Sequence, residues 1–419
     1  MAVNDTGVGE HDEFLNDWRE LCSIGATERG GVDREAATQA DRQTKVWLSE
    51  WLKRRGFTLR VDTVGNQFGL IEWTPGAPFV LLGSHLDSQP TAGRFDGAYG
   101  VLAAAYAASR IAHRVGASDS APPFNVAVAN WFNEEGSRFQ PSMMGSGVFT
   151  GRLDVAATLN ITDGHGVTVA TALDEIGFRG AEELGEVAAY GEIHVEQGPI
   201  LDTEGIAIGL VESTWAARKY EITVRGEQSH TGSTVMGQRR DALLGAARIV
   251  VLIRELADDV PDDRMHTSVG HLTVVPNSPV VVAKEAHLYA DMRSADATLL
   301  DRADQRLRAE CARIERETGV EIELALSHKW DVESYTPAGV DLAEGIADKL
   351  ELSHRRLATI AGHDSTNMKD QVPTVMLFVP SVDAIAHNEL EFTNDEHLLM
   401  GLDLLTEVAH ALVRGELNT

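Results

Sequence analysis

The apolar positions of this chain change their period several times, and each change marks out an element. Between residues 12 and 56 the spacing in FLNDWRELCSIG and TKVWLSEWLKRRG is helical, with Gly56 suited to close the second helix. Strand-like runs follow at TLRVDTV, FGLIEW, FVLLGS, NVAVANWF and GEIHVEQ, separated by helical or turn-rich stretches. This alternation predicts an α/β domain whose mostly parallel sheet is flanked by helices. Near residue 212 the texture changes. KYEITVRGE alternates like a half-solvated strand, QRRDALLGAARIVVLIRELADD reads as an amphipathic helix of about six turns, and HLTVV, EAHLYADMRS and LDRADQRLRAECARIERETG continue as strand, strand and helix. After EIELALSHKW the α/β texture returns, with LAEGIADKLE, the strand TVMLFVP and a closing helix EHLLMGLDLLTEVAHALV. The expected organisation is a discontinuous domain of residues 1–211 and 329–419, interrupted by a smaller α+β domain of residues 212–328.

The 419 residues exceed what one hydrophobic core usually supports, in keeping with two domains. The 36 basic and 64 acidic residues leave a formal net charge of -28, which argues against nucleic acid or an anionic membrane as partner and reads as a solvated, self-repelling surface. The opening MAVNDTGVGEHDEFLNDWRE has neither the basic nor the apolar region of a leader, and no run approaches the roughly 18 apolar residues that span a bilayer, so the expectation is a cytoplasmic protein. Cys22 and Cys311 stand far apart with no CxxC pattern, which supports neither a disulfide framework nor a thiolate metal site. Any metal must then be held by nitrogen and oxygen.

Four segments offer such donors: SHLDS with RFDG, FNEEGSRF, EIHVEQG and AIAHNE. They supply His85, Asp87, Asp96, Glu134, Glu135, His194 and His387. Each follows an apolar strand-like run, so in a parallel sheet all four leave the carboxyl edge, where open α/β sheets keep their ligand sites. Imidazole and carboxylate without thiolate suit Zn, Mn or Co as catalytic ions. A two-ion centre needs a bridging carboxylate, terminal ligands and a further carboxylate left free as a base. The adjacent acids of NEEG can divide the last two tasks. Asp87 can instead orient His85 through its second nitrogen.

With these motifs in hand the chain resembles the metal-dependent amidohydrolases of the aminoacylase and carboxypeptidase clan, and within it the N-carbamoyl-L-amino acid hydrolases, β-ureidopropionases and allantoate amidohydrolases. The resemblance runs from about residue 15 to 412 and is carried by GSHLDSQPTAGRFDGAYGVLAA, NWFNEEGSRF, HVEQGPIL, GQRRDAL and GHDS. It implies two divalent metal ions, one on His85, Asp96 and His194, the other on Asp96, Glu135 and His387, with Glu134 as general base and Asp87 orienting His85. The histidine of HVEQGP is informative, because peptidase branches of the clan usually have a carboxylate there. The resemblance also implies a substrate shell of Gln197, His230, Asn277 and Arg293, with His230 stabilising the oxyanion of the reaction and Arg293 matching a substrate carboxylate through its planar fork. Gly362, His363 and Asp364 of AGHDSTNM are implied to shape the pocket, with Gly362 and Ser365 expected among the substrate contacts, although a turn joining helix to strand fits that motif equally well. The inserted domain is implied to act as a lid and to dimerise two identical chains.

The chain departs from the pattern at HTGSTVM, GHDS and AHN, where relatives often read HAGTTPM, GHDA and SHN. Ser365 adds a hydroxyl and Ala386 removes one beside His387. The ligand set is intact and the substrate assignment is what these changes touch. The expected activity is hydrolysis of the ureido C–N bond of an N-carbamoyl amino acid, releasing amino acid, carbon dioxide and ammonia. The alternatives are allantoate, another ureido acid or an N-acyl amino acid as the small-molecule substrate, and, more remotely, an inactive binding member of the fold.

Overall fold

The computed structural model describes residues 6–116, 121–261 and 263–417. The chain separates into two compact units, one of residues 1–212 and 335–419, the other of Ser213–Ser334.

The first unit is built on an eight-stranded sheet. Its centre consists of four parallel strands in the order Asn125–Trp131, Phe79–His85, Val187–Val195 and Thr374–Val379. Phe79–His85, Asn125–Trp131 and Thr374–Val379 are buried along their whole length, as strands covered on both faces must be, which explains their unbroken apolar composition. Thr58–Val61 and Gln67–Ile71 add antiparallel strands on one side, and Ile208–Thr214 and His354–Thr359 extend the other. Helices Ala98–Gly116 and Asp395–Val413 bury their apolar faces in the main core with Leu82, Ile193 and Leu377. The other face packs Phe68, Leu81, Trp131 and Tyr190 against Met368. The mostly parallel α/β sheet flanked by helices is thus present; the strands Ile208–Thr214 and His354–Thr359 were not legible in the apolar pattern.

The second unit has a four-stranded antiparallel sheet in the order Glu321–Trp330, Ala216–Arg225, Glu285–Ser294, Met265–Val275. Helices Ala242–Asp258 and Ala297–Thr318 cover one face, burying Ile249, Ile253, Leu300, Leu307 and Ile314 against Ile222, Val224 and Leu288. The division falls after Ser334, six residues beyond the expected 328, because Glu321–Trp330 pairs along Ala216–Arg225 and completes this sheet.

Candidate metal centre

The four parallel strands end at one edge of the sheet, and each delivers donor side chains there. His85 is the last residue of its strand and His194 the last but one of the next. Asp96 follows the first in a loop, Glu134 and Glu135 follow Trp131, and His387 lies in the bend after Val379. These residues form two groups of three donors, His85 with Asp96 and His194, and Asp96 with Glu135 and His387, the donor atoms of each group lying within 4.8 Å of one another. Asp96 belongs to both. Its Oδ1 stands 3.1 Å from His194 Nε2 and 3.5 Å from His85 Nε2, while Oδ2 stands 3.3 Å from His387 Nε2. His387 Nε2 is also 3.4 Å from Glu135 Oε2.

The two buried imidazoles are held in one tautomer by the backbone. Nδ1 of His85 meets the carbonyl oxygen of Asp87 at 2.9 Å, and Nδ1 of His194 meets that of Val195 at 2.9 Å. A carbonyl only accepts, so Nδ1 carries the hydrogen in both rings and Nε2 is left as the acceptor facing Asp96, which in His194 takes the Gly97 N–H at 2.9 Å. That arrangement suits a cation, and an N/O set of this kind suits a catalytic divalent ion. The residues present therefore fit two such ions sharing Asp96.

The Asp87 carboxylate has a different task from the one expected of it. Its Oδ1 lies 3.8 Å from His85 Nδ1, too far for a hydrogen bond, because the residue's own carbonyl occupies that nitrogen. Instead Oδ1 and Oδ2 accept the backbone N–H groups of Glu134 and Glu135, both at 3.2 Å, and so fix the start of the EE pair. Gln89 holds the Glu135 carboxylate, donating from its backbone N to Oε1 at 3.3 Å and from Nε2 to Oε2 at 3.0 Å. Glu134, buried, lies outside both donor groups with Oε2 3.6 Å from His85 Nε2.

Burial opposes charge on all these groups, and their neighbours decide the outcome. Burial alone would raise Asp96, yet His194, His387 and His85 hold it well below the usual carboxylate range. Burial would lower His85, but Glu134, Asp96 and Asp87 raise it well above the ordinary imidazole value; His194 is raised too, Asp96 outweighing its burial. Burial would lower His387 too, but Asp96 and Glu135 together raise it to about 9. Glu134 is pushed well above its ordinary value by burial, then by Asp364, Glu135 and Asp87, with His85 opposing. The carboxylates draw positive charge inward, the electrostatic setting a cation site requires.

Gln197 stands beside this cluster, its Nε2 donating to Asp96 Oδ2 at 2.5 Å. Gly362 is exposed, and a Cβ placed on it would lie 3.2 Å from the Met143 side chain. Ser365 is corrected from a substrate contact: it is fully buried, its hydroxyl lies 2.8 Å from Tyr335 OH, and its backbone N donates to Glu192 Oε2 at 2.8 Å. His230, Asn277 and Arg293 lie in the Ser213–Ser334 unit. His230 is exposed, and its Nδ1 accepts the backbone N–H groups of Gly232 and Ser233 at 2.9 and 3.2 Å, leaving Nε2 to carry a hydrogen. Asn277 is exposed with φ +52. Arg293 donates from Nε and Nη2 to Asp291 Oδ2 at 3.0 and 2.7 Å.

Sequence reasoning missed Glu192. This carboxylate is buried two residues before His194 and accepts from Ser84 Oγ at 3.0 Å and Tyr190 OH at 3.2 Å as well as from Ser365 N. Asp364, fully buried and accepting from Ser146 Oγ at 2.5 Å, is its acidic neighbour; burial raises both carboxyl groups, and repulsion from Glu192 raises Asp364 further.

The model of peptidase family M20/M25/M40 matches residues 81–411. The chain belongs to that family. Among M20/M25/M40 relatives, an N-carbamoyl-L-amino-acid amidohydrolase of Rhizobium meliloti is 35% identical over 397 residues, covering 94% of each chain. An allantoate amidohydrolase of Bacillus subtilis is 31% identical over 402 residues, again covering 94% of each. The crystal structure of an amidase of the hydantoinase/carbamoylase family from Burkholderia vietnamiensis superposes with a TM-score of 0.91 at 36% identity, covering 96% of this chain and 97% of the other. This M20/M25/M40 member is accordingly an enzyme of the carbamoylase and allantoate amidohydrolase type, a hydrolase of C–N amide bonds. No helix among its described residues is long and apolar enough to cross a membrane.

Proposed function

We propose that the chain hydrolyses the ureido C–N bond of an N-carbamoyl amino acid, with His85, Asp96 and His194 holding one divalent cation and Asp96, Glu135 and His387 the other. The observation that carries this reading is the position of Glu134: a buried carboxylate beside both donor groups and a member of neither. When bound, such cations supply Lewis-acid polarisation of the carbonyl and lower the pKa of water. Glu134 takes a proton from the attacking water on its carboxylate and later returns it to the leaving nitrogen. His230, with hydrogen on Nε2, is the donor for the developing oxyanion. Arg293 pairs with the substrate carboxylate, its planar fork matching two oxygens, while Gln197 and Asn277 orient the substrate. Residues 213–334 serve in this reading as lid and as the contact between two copies of the chain. Allantoate is a second reading, favoured by the similarity to the Bacillus subtilis enzyme.

The test is ammonia and free amino acid release by metal-stripped protein reloaded with Mn, Co or Zn. The panel is N-carbamoyl-L-amino acids, N-carbamoyl-β-alanine, allantoate and N-acetyl amino acids. Metal-dependent ammonia from an N-carbamoyl amino acid, abolished in Glu134→Gln, is expected. Free amino acid without ammonia would move the assignment to an acylase, ammonia from allantoate alone would favour the second reading, and no product from any of them would overturn both.

A further inference from the structure

The bend that carries His387 also carries Glu391, whose side chain turns inward and is only 3% exposed. Its Oε1 accepts the backbone N–H of Phe95 and that of Asp96, each at 3.0 Å, across almost 300 residues of sequence. The loop is pressed onto this carboxylate so closely that a Cβ at Gly93 would stand 2.3 to 2.5 Å from Glu391 atoms. The bend itself is braced by Val382 N to Phe392 O, Glu391 N to Asn388 O and Thr393 Oγ1 to Pro380 O, at 2.9, 2.9 and 2.8 Å. Glu389, on the same bend, grips the loop indirectly. It accepts from Thr27 Oγ1 at 2.5 Å and lies 3.7 Å from Arg29 Nε, and Val32, just beyond, exchanges backbone hydrogen bonds with Ala92 at 2.9 Å.

We propose that Glu391 is the positioning residue for Asp96, setting the backbone from which that aspartate presents Oδ1 to His85 and His194 and Oδ2 to His387. Two backbone N–H groups of successive residues on one side-chain oxygen clamp the loop at Phe95 and Asp96. Asp96 is common to both donor groups, so slack at this one acceptor loosens both. The clamp also ties the His387 bend to the Asp96 loop, so that the second donor group is assembled by the same contact. The clamp's hydrogen bonds are made to the main chain of Phe95 and Asp96. Partners that orient ligands in this way typically account for about 10- to 100-fold in metal affinity.

This inference rests on the two-cation reading of the site, and the experiment separates the two. Metal-stripped protein is titrated with Mn or Zn by calorimetry, and thermal unfolding is followed in parallel. The wild type and Glu391→Gln, which keeps an oxygen acceptor for both N–H groups, are expected to bind two equivalents alike. Glu391→Ala is expected to bind both equivalents about 10- to 100-fold more weakly. Glu389→Ala, which removes the indirect grip alone, is expected to match the wild type in affinity. Should Glu391→Ala not fold, Gly93→Ala, which displaces the carboxylate sterically, replaces it with the same expectation. Unchanged affinity in the alanine variant, or a loss shared equally by Glu389→Ala, would overturn the positioning role. Failure of the wild type to take up metal would overturn the two-cation reading itself.

Discussion

Gly97 offers the sharpest test of the geometry, because it sits against both buried imidazoles. It has φ +62, its backbone N donates to His194 Nε2 at 2.9 Å, and a Cβ placed on it would lie 2.4 Å from Nε2 and Cε1 of His85. An ordinary contact between such atoms is about 3.5 Å, so in Gly97→Ala the His85 ring must withdraw by about 1 Å. Alanine in the left-handed region costs about 1 kcal/mol. Displacing the ring breaks the bond from Nδ1 to the Asp87 carbonyl inside the protein, at a cost of about 2 kcal/mol. The expected loss is therefore about 3 kcal/mol in all. Gly76→Ala is the control: φ is +75 there and nothing lies within 4 Å, so only the backbone cost of about 1 kcal/mol applies. Guanidinium unfolding of both variants measures the difference, and metal titration reads its consequence, since moving a ligand ring should weaken binding about 10- to 100-fold in Gly97→Ala and leave Gly76→Ala unchanged. Equal stabilities with unaltered metal affinity would refute the placement of His85 against this loop.

Asp87→Asn keeps one acceptor but turns an amide NH2 toward a backbone N–H of the EE pair; kcat on the ureido substrate is expected to fall about 10- to 100-fold with KM little changed, and an unchanged kcat would count against its role in holding Glu134. Burial raises Asp62 from 3.8 to about 6 despite hydrogen bonds from Asn66 and Val64. A raised folded pKa means that its contribution to stability is fully present below pH 4 and is lost as pH rises through 6. The stability of Asp62→Asn relative to the wild type should therefore climb by about 3 kcal/mol across that window, and a pH-independent difference in urea melts would contradict this. Burial pushes the thiols of Cys22 and Cys311 up to about 12, so native protein at pH 8 should react with a thiol reagent far more slowly than unfolded protein; rapid labelling of either residue would refute the assignment.

The centre of the fold was readable because its strands announce themselves twice. VLLGSH and VAVANWFNEE each run from apolar to chemically active at the point where a buried strand must end, and the parallel sheet then gathers those ends on one edge. Glu192 was invisible for the opposite reason. Within GEIHV it occupies the place of a solvent-facing residue in an alternating strand, and what keeps it buried comes from Ser84, Tyr190 and Ser365, mostly on other elements. Glu391 is similar: its partners are two backbone N–H groups far away in sequence, and backbone amides leave no trace in side-chain pattern. The same blindness misassigned Asp87, since HxD cannot distinguish a carboxylate that orients histidine from a carbonyl that does so. Ser365 read as a pocket residue through the resemblance carried by GHDS, while Tyr335, whose hydroxyl meets its own, stands 30 positions earlier.

The chain leaves the first unit and re-enters it through one doorway. Tyr335 N donates to Glu212 O at 3.0 Å, Ser213 bridges Ser334, and Thr214 N donates to Glu333 O at 2.9 Å, so the outgoing and returning segments run side by side. To the host, everything from Ser213 to Ser334 is the equivalent of a tight hairpin loop, and closing a loop costs little more when the loop is long than when it is short. Such a junction is a natural splice point. A short turn joining Glu212 to Tyr335 would leave the host's strand register untouched, and a foreign module with neighbouring termini could be grafted there, which makes the interruption an interchangeable part in the history and the engineering of this scaffold.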